Sequence, residues 1–141
     1  MLVVDTTILR YAAGAEHPLR DACRRLVDRF LARDIDLATT VEVIQEFAHG
    51  YARRRSREAA VLLARDYARI LPLISTVPKD LELGLAIFES TPTLGAFDSI
   101  LAATAINHRA EALISGDQAF GEVTRLRWLD PRSPEILDRR Q

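Results

Sequence analysis

Short apolar runs alternate with longer amphipathic stretches along this chain of 141 residues. Leu2–Val4, Asp36–Ala38 and Ala112–Ser115 have the length and composition of short buried strands, and Leu73–Val77 and Arg125–Leu129 add two further extended pieces. Strands that alternate with helical stretches are typical of a parallel sheet covered by helices. We therefore expect an α/β fold.

Between these strands, apolar side chains recur at helical spacing. Thr39-Thr40-Val41-Glu42 has the pattern of a capping box and predicts the start of one helix. The other predicted helices are Arg20–Arg33, Ser56–Ile70, Pro78 or Lys79 to Glu89, and Ala96–Arg109. The chain contains no repeat and no linker-like tract, so we expect a single domain over residues 1–141.

Composition narrows the class of protein. The formal net charge of -1 excludes a strong overall basic field, and the single cysteine, Cys23, excludes an intramolecular disulfide or a cysteine-based metal cluster. On an apolar helix face, Cys23 is expected to be an inert buried thiol. The sequence has neither a secretory signal pattern nor an apolar run long enough to span a membrane, so we expect a cytoplasmic protein with no membrane association.

Two acidic residues follow predicted strands. Asp5 comes directly after Leu2–Val4, and Asp117 comes almost directly after Ala112–Ser115. In an open parallel sheet, ligands bind in the crevice outside the carboxyl ends of the strands. Asp5 and Asp117 are therefore expected at the same edge of the sheet.

Two more acids are predicted on helices near that edge. Glu46 lies on the helix that follows the second strand, and Asp98 lies in the first turn of the helix rich in small residues. Taken singly, each acid has an ordinary structural explanation: a capped turn for Asp5, an exposed helix face for Glu46, a favourable helix dipole for Asp98 and an Asx turn for Asp117. If both helices pack at that edge of the sheet, the four carboxylates converge and form a site.

So many like charges need a counter-charge, and hard divalent cations with oxygen ligands supply one. His17, His49 and His108 show no paired spacing of the kind that a softer metal would require. A site of carboxylates that holds Mg²⁺ or Mn²⁺ is typical of enzymes that hydrolyse phosphodiesters.

Four segments of the chain together resemble a known family. They are Val3–Leu9, Val43–Phe47, Leu94–Ala105 and Leu113–Phe120, which contain the four acids in order. Each resembles one acidic segment of the PIN-domain ribonucleases, and specifically of the VapC-type toxins of bacterial toxin–antitoxin pairs. The resemblance extends over nearly the whole chain.

This resemblance implies a PIN-like α/β fold with a parallel sheet of four or five strands flanked by helices. It makes Asp5, Glu46, Asp98 and Asp117 the catalytic acids around Mg²⁺ or Mn²⁺ in an endoribonuclease toxin. Thr7 would orient Asp5 or a bound water through its hydroxyl group, and Ser115 would do the same for Asp117. The resemblance also implies a homodimer and a cognate antitoxin protein whose tail blocks the cleft.

An RNA substrate requires positive charge close to such an acidic site. Arg53, Arg54 and Arg55 lie just beyond the Glu46 helix, and guanidinium groups suit phosphates. We predict that these three residues bind RNA, with a solvated surface loop as the alternative.

Other functions remain open at this point. A phosphatase with Asp5 as nucleophile would want a second Asp where Thr7 stands, or a late lysine, whereas the only lysine is Lys79. An inactive PIN-like module that binds RNA or protein would be expected to lack an acid, and no acidic position is missing. A DNA nuclease would use the same acidic site.

Overall fold

The computed structural model, which describes residues 1–14 and 16–138, has a parallel five-stranded sheet at its centre. The strands follow the order β3-β2-β1-β4-β5, and each neighbouring pair is parallel. This arrangement confirms the predicted fold class. The strands are β1 Leu2–Val4, β2 Leu37–Thr40, β3 Leu73–Ile74, β4 Ala112–Ile114 and β5 Trp128–Leu129.

Helices cover the sheet and connect its strands. In the described part of the chain they are α1 Thr6–Ala13, α2 Arg20–Leu31, α3 Val41–Arg54, α4 Arg57–Ile70, α5 Pro78–Ser90, α6 Ala96–Asn107 and α7 Pro134–Leu137, with a 3₁₀ turn at Gln118–Glu122. The sequence pattern predicted α2 to α6, but it did not predict α1 or α7. Helix α1 begins directly after β1 because the Asp5 carboxylate accepts the Thr7 backbone N–H and caps the first turn.

The predicted capping box is wrong by one residue. Thr40, not Thr39, is the N-cap of α3, and its hydroxyl oxygen accepts the Val43 N–H at 3.2 Å. Strand β2 continues through Thr39, whose hydroxyl donates to the Val4 carbonyl at 2.8 Å and ties β2 to β1. Glu42 therefore has no capping role.

Strand β1 is the centre of the sheet. Leu2 pairs with Leu37 on one side and with Ala112 on the other, so both edges of β1 are hydrogen-bonded. All of its residues are buried, which explains why it is a continuous apolar run. The Asp5 N–H donates to the Ile114 carbonyl, so the carboxyl ends of β1 and β4 lie level.

Helices α5 and α6 pack unusually close together. A Cβ atom at Gly84 would lie 2.7 Å from the Ile100 Cα atom, so only glycine allows this approach. The Asp80 carboxylate, which is fully buried, accepts hydrogen bonds from the Asn107 side chain at 2.7 Å and from the Val77 N–H at 2.9 Å. These contacts fix α6, the helix that carries Asp98.

The surroundings of Cys23 and the character of the helices bear on two expectations drawn from composition. Cys23 is a free, buried cysteine, and burial raises the pKa of its thiol to about 12, which agrees with an inert packing role. Among the helices of residues 1–14 and 16–138, none has both the length and the apolar character needed to cross a membrane.

Candidate active site

The Asp5 carboxylate is held at the carboxyl end of the central strand. It is 4% exposed. One of its oxygens accepts the Thr7 hydroxyl at 2.5 Å and the Thr7 N–H at 3.1 Å, and the other accepts the Ser115 hydroxyl at 2.6 Å. Burial raises the pKa of Asp5 to about 6, although these hydrogen bonds favour the ionised form.

Thr7 and Ser115 connect Asp5 to the loop that carries Asp117. The Thr7 hydroxyl oxygen accepts the Gly116 N–H at 2.8 Å, and the Ser115 hydroxyl oxygen accepts the Asp117 N–H at 2.9 Å. The predicted role of Thr7 toward Asp5 matches this geometry. Ser115 differs from the prediction, because its hydroxyl donates to the Asp5 carboxylate and binds only the backbone of Asp117.

Asp117 and Glu46 lie at the exposed side of the cluster. The Asp117 carboxylate accepts the Ala119 N–H at 2.9 Å and caps the 3₁₀ turn that follows. Glu46 projects from α3, and its carboxylate accepts the Thr6 hydroxyl at 2.6 Å. Thr6 and Thr7, adjacent at the start of α1, therefore hold one acid each.

Asp98 is the least restrained of the four acids. It lies in the first turn of α6 and is partly buried. The pKa of Asp98 is raised to about 7, first by burial and then by the negative charges of Asp5, Glu46 and Asp117. This repulsion shows that the four predicted acids share one electrostatic environment.

These acids fit a hard divalent cation by their chemistry. Their donors are all carboxylate oxygens, and a cation would relieve the repulsion that raises the pKa of Asp98. In the described ranges 1–14 and 16–138, no three His, Cys, Asp or Glu side chains are gathered closely enough to ligate one ion together. Mg²⁺ commonly retains several waters and takes only one or two carboxylates directly, so a loose cluster suits it.

Comparison with known proteins agrees with this geometry. The PIN domain profile matches residues 2–126. Ribonuclease VapC7 of Mycobacterium tuberculosis is 48% identical over 129 residues, which cover 88% of this chain and 87% of that protein. The chain belongs to the PIN-domain family, among its VapC ribonucleases. Ribonuclease VapC13 of the same species is 32% identical over 126 residues, or 85% of this chain and 92% of that protein.

Solved structures show the same PIN fold. VapBC2 from Rickettsia felis, bound to a DNA fragment from its promoter, has a TM-score of 0.73 at 19% identity and covers 92% of this chain and 97% of that chain. The sarcin-ricin loop cleaving toxin VapC20 of Mycobacterium tuberculosis has a TM-score of 0.73 at 14% identity, with 90% and 99% covered. At these identities the likeness concerns the fold alone.

The three arginines predicted to bind RNA do not share one surface of this PIN domain. Arg54 and Arg55 line a cavity together with Arg10, between α1 and the end of α3. Arg53 lines a different cavity, between α3 and α4, together with Arg57. Helix α3 ends at Arg54, and its last turn directs neighbouring side chains to different sides of the helix.

Sequence reasoning missed two residues that support the site. Thr6 holds Glu46, and the only signal for it was a second hydroxyl residue next to Thr7. Trp128 donates its indole N–H to the Ser115 carbonyl at 3.0 Å. It therefore braces the strand end that carries Ser115, a contact that no local pattern reports.

Proposed function

We propose that this chain is a single-domain endoribonuclease that depends on Mg²⁺ or Mn²⁺ and acts as the toxin of a toxin–antitoxin pair. The carrying observation is that Asp5, Glu46, Asp98 and Asp117 lie at one edge of the sheet, where burial and then the charges of the other three acids raise the pKa of Asp98. Such a cluster is costly to fold without a cation, so its presence favours a metal site. The names of the VapC relatives support RNA as the substrate.

An ion at the exposed edge of the sheet would bind one or two of the four acids directly and the others through its waters. Asp5 is buried and fixed on both oxygens, whereas Glu46 and Asp117 are exposed, so the cluster opens from a rigid base toward solvent. The Asp98 carboxylate accepts no hydrogen bond from the described residues, so its oxygens remain available as ligands. A divalent ion bound there would lower the pKa of water and neutralise charge on the phosphate.

The protein's own contribution is positioning. Thr7 and Ser115 set the orientation of Asp5 before any substrate arrives, and Thr6 restrains Glu46. Preorganised groups of this kind need no reorganisation during the reaction. Hydrolysis would add water across one P–O bond of the RNA backbone and leave a phosphate on one fragment and a hydroxyl on the other.

We also propose the partners that the family resemblance implies: a cognate antitoxin that blocks the cleft and a second copy of the chain, in the cytoplasm. An apolar groove of about 400 Å³ lies beside Asp98, with Val77, Leu81 and Phe97 in its lining. These three side chains are 41–46% exposed, which would suit an apolar contact. Light scattering of the purified chain tests the dimer, and a monomeric mass would contradict it.

The nuclease proposal is tested with purified protein and a mixed pool of cellular RNA, in Mg²⁺ or Mn²⁺ against EDTA. The parent chain should give discrete metal-dependent fragments, whose ends reveal the target. Asp98→Asn should abolish cleavage and weaken metal binding in calorimetry, whereas Glu58→Gln, an exposed acid on α4, should change neither. No cleavage by the folded, metal-binding parent, or equal cleavage by Asp98→Asn, would overturn the proposal.

A further inference from the structure

A second cavity lies next to the acidic cluster and has the opposite charge. It has a volume of about 490 Å³ and lies between α1, the segment before α2 and the end of α3. We call it the basic cavity. Its lining includes Arg10, Tyr11, His17, Tyr51, Arg54 and Arg55. Three guanidinium groups and three aromatic rings thus face one concave surface.

The aromatic part of the basic cavity is already ordered. The rings of Tyr11 and His17 stack with centroids 3.8 Å apart and an angle of 7° between their planes. The His17 Nδ1 atom accepts the Leu19 N–H at 3.1 Å, which fixes the imidazole ring. Arg10 lies over the Tyr11 ring, 4.8 Å from its centroid, and donates to the Tyr11 hydroxyl at 2.9 Å. The stack is therefore held from both ends.

The charge of the basic cavity is not neutralised by the protein. Over residues 1–14 and 16–138, the guanidinium groups of Arg54 and Arg55 form no ion pair with a carboxylate. Glu16 is the one acidic residue in the lining, so three positive charges face one negative charge. Unpaired guanidinium groups are suited to phosphate, which they can bind through two parallel hydrogen bonds.

The basic cavity and the acidic cluster share a wall. A Cβ atom at Gly116 would lie 3.1 Å from a ring carbon of Tyr11 and 3.4 Å from the Thr7 hydroxyl. Gly116 precedes Asp117, and Thr7 binds Asp5. The acidic cluster and the Tyr11 ring therefore lie on either side of one short segment, close enough for a single strand to contact both.

We propose that the basic cavity binds a nucleotide of the RNA strand that flanks the cleaved phosphodiester. The Tyr11–His17 stack takes the base, and Arg10, Arg54 and Arg55 take the backbone phosphates. Aromatic stacking combined with cationic contacts to the backbone is how proteins bind single-stranded nucleic acid. This inference rests on the proposed ribonuclease function and adds to it the surface that grips the substrate.

The inference is tested by RNA binding in EDTA, in an Asp98→Asn background, so that cleavage plays no part. Fluorescence anisotropy with a labelled single-stranded RNA should show that Arg54→Ala combined with Arg55→Ala weakens binding by about tenfold or more and flattens its salt dependence. Arg57→Ala combined with Arg65→Ala removes the same charge from exposed positions of α4 and should change binding less than about threefold. Equal effects of the two double variants would overturn the inference.

A second comparison separates the stack from the charge. His17→Ala should weaken binding of the RNA by roughly tenfold but leave binding of an abasic strand of equal length unchanged. His17→Phe should restore the difference between the two strands. A His17→Ala effect that is equal on both strands would contradict base stacking, and loss of antitoxin binding alone would assign the cavity to a protein partner and overturn the inference.

These measurements do not depend on catalysis. If the parent chain fails to cleave RNA, the proposed ribonuclease function is contradicted. The role of the basic cavity in RNA binding is tested separately, by the two double variants in EDTA. If the double variant Arg54→Ala and Arg55→Ala cleaves RNA with unchanged KM, the inference about the basic cavity is contradicted. The proposed ribonuclease function is then unaffected.

Discussion

Ser115 donates its hydroxyl to the Asp5 carboxylate at 2.6 Å, across 110 positions of the sequence. The same oxygen accepts the Asp117 N–H, and the Ser115 carbonyl accepts the Trp128 indole N–H. One buried serine thus joins the ends of β1 and β4 and orients the first and last acids of the cluster. Its side chain has no exposed surface, so water cannot replace it.

Ser115→Ala is expected to reduce RNA cleavage by about tenfold to a hundredfold, because Asp5 loses the donor that orients one of its oxygens. The hydroxyl also lowers the pKa of Asp5, so its removal should move the acidic limb of the pH–rate profile to higher pH. Ser90→Ala, which removes a hydroxyl bonded only within α5, is the matched control. A profile that falls in height without moving would indicate a purely structural role for Ser115.

The metal-free protein should lose stability as pH rises through the raised pKa values of its acids. In the folded state the pKa is about 6 for Asp5 and about 7 for Asp98, against 3.8 for the unfolded chain. Between these values the folded state binds more protons than the unfolded chain. These two acids therefore leave the free energy of unfolding at its highest below about pH 4, and the free energy of unfolding falls until about pH 7. Asp98→Asn should therefore stabilise the metal-free protein at pH 8 by an amount on the order of a few kcal/mol, and much less at pH 4.

Thermal or urea unfolding in EDTA at pH 4 and pH 8, for the parent and for Asp98→Asn, measures this difference. Saturating Mg²⁺ should reduce it at pH 8, because the ion stabilises only the parent with its full set of acids. A difference between the two proteins that does not change with pH would contradict the electrostatic explanation.

Thr6→Val should release Glu46 and lower cleavage by about tenfold, with a smaller effect than Glu46→Gln. The chain offers a matched control, since Thr93 donates to Glu122 in a second exposed Thr–Glu pair, neither member of which is one of the four acids. Thr93→Val should leave cleavage unchanged. Equal rates for Thr6→Val and the parent, under conditions where Glu46→Gln is impaired, would show that Glu46 does not need this restraint.

Gly84→Ala should destabilise the fold by about 1–3 kcal/mol, because its methyl group would meet the Ile100 backbone at 2.7 Å. Gly50 in α3 is the matched control, since nothing lies within 4 Å of a Cβ atom built there. Gly50→Ala should raise stability by about 0.5–1 kcal/mol through better helix propensity. Chemical denaturation of both variants decides the point, and a neutral Gly84→Ala would mean that α5 and α6 can separate at little cost.

The sequence pattern predicted the three buried inner strands well, because burial dictates their residues, but it placed the end of β3 three residues too late and the start of β5 three residues too early. Leu2–Val4 was predicted at its observed bounds, and β2 and β4 within one or two residues. Helix α1 escaped prediction because it starts only two residues after β1 ends, with two threonines in its first turn. Its start depends on Asp5 as the N-cap, a residue that the sequence analysis considered for a capped turn but not as the start of a helix.

For the candidate site, the positions of the acids could be inferred from their place at strand ends, whereas their partners could not. The bond from Ser115 to Asp5 depends on the register of β1 against β4, and the bond from Thr6 to Glu46 depends on how α1 packs on α3. The separation of Arg53 from Arg54 and Arg55 depends on where α3 ends. Such tertiary relationships leave no local trace in the residues themselves.

The central place of β1 has a consequence for synthesis. The ribosome makes Asp5 first, but the strand that completes its surroundings ends at Ile114, and Asp117 comes 112 residues after Asp5, as 117 - 5 = 112. At about 5–20 residues per second, the interval is roughly 6–22 s. During that time the carboxylates have no frame to hold them together. The four acids can therefore converge only after Asp117 has been synthesised.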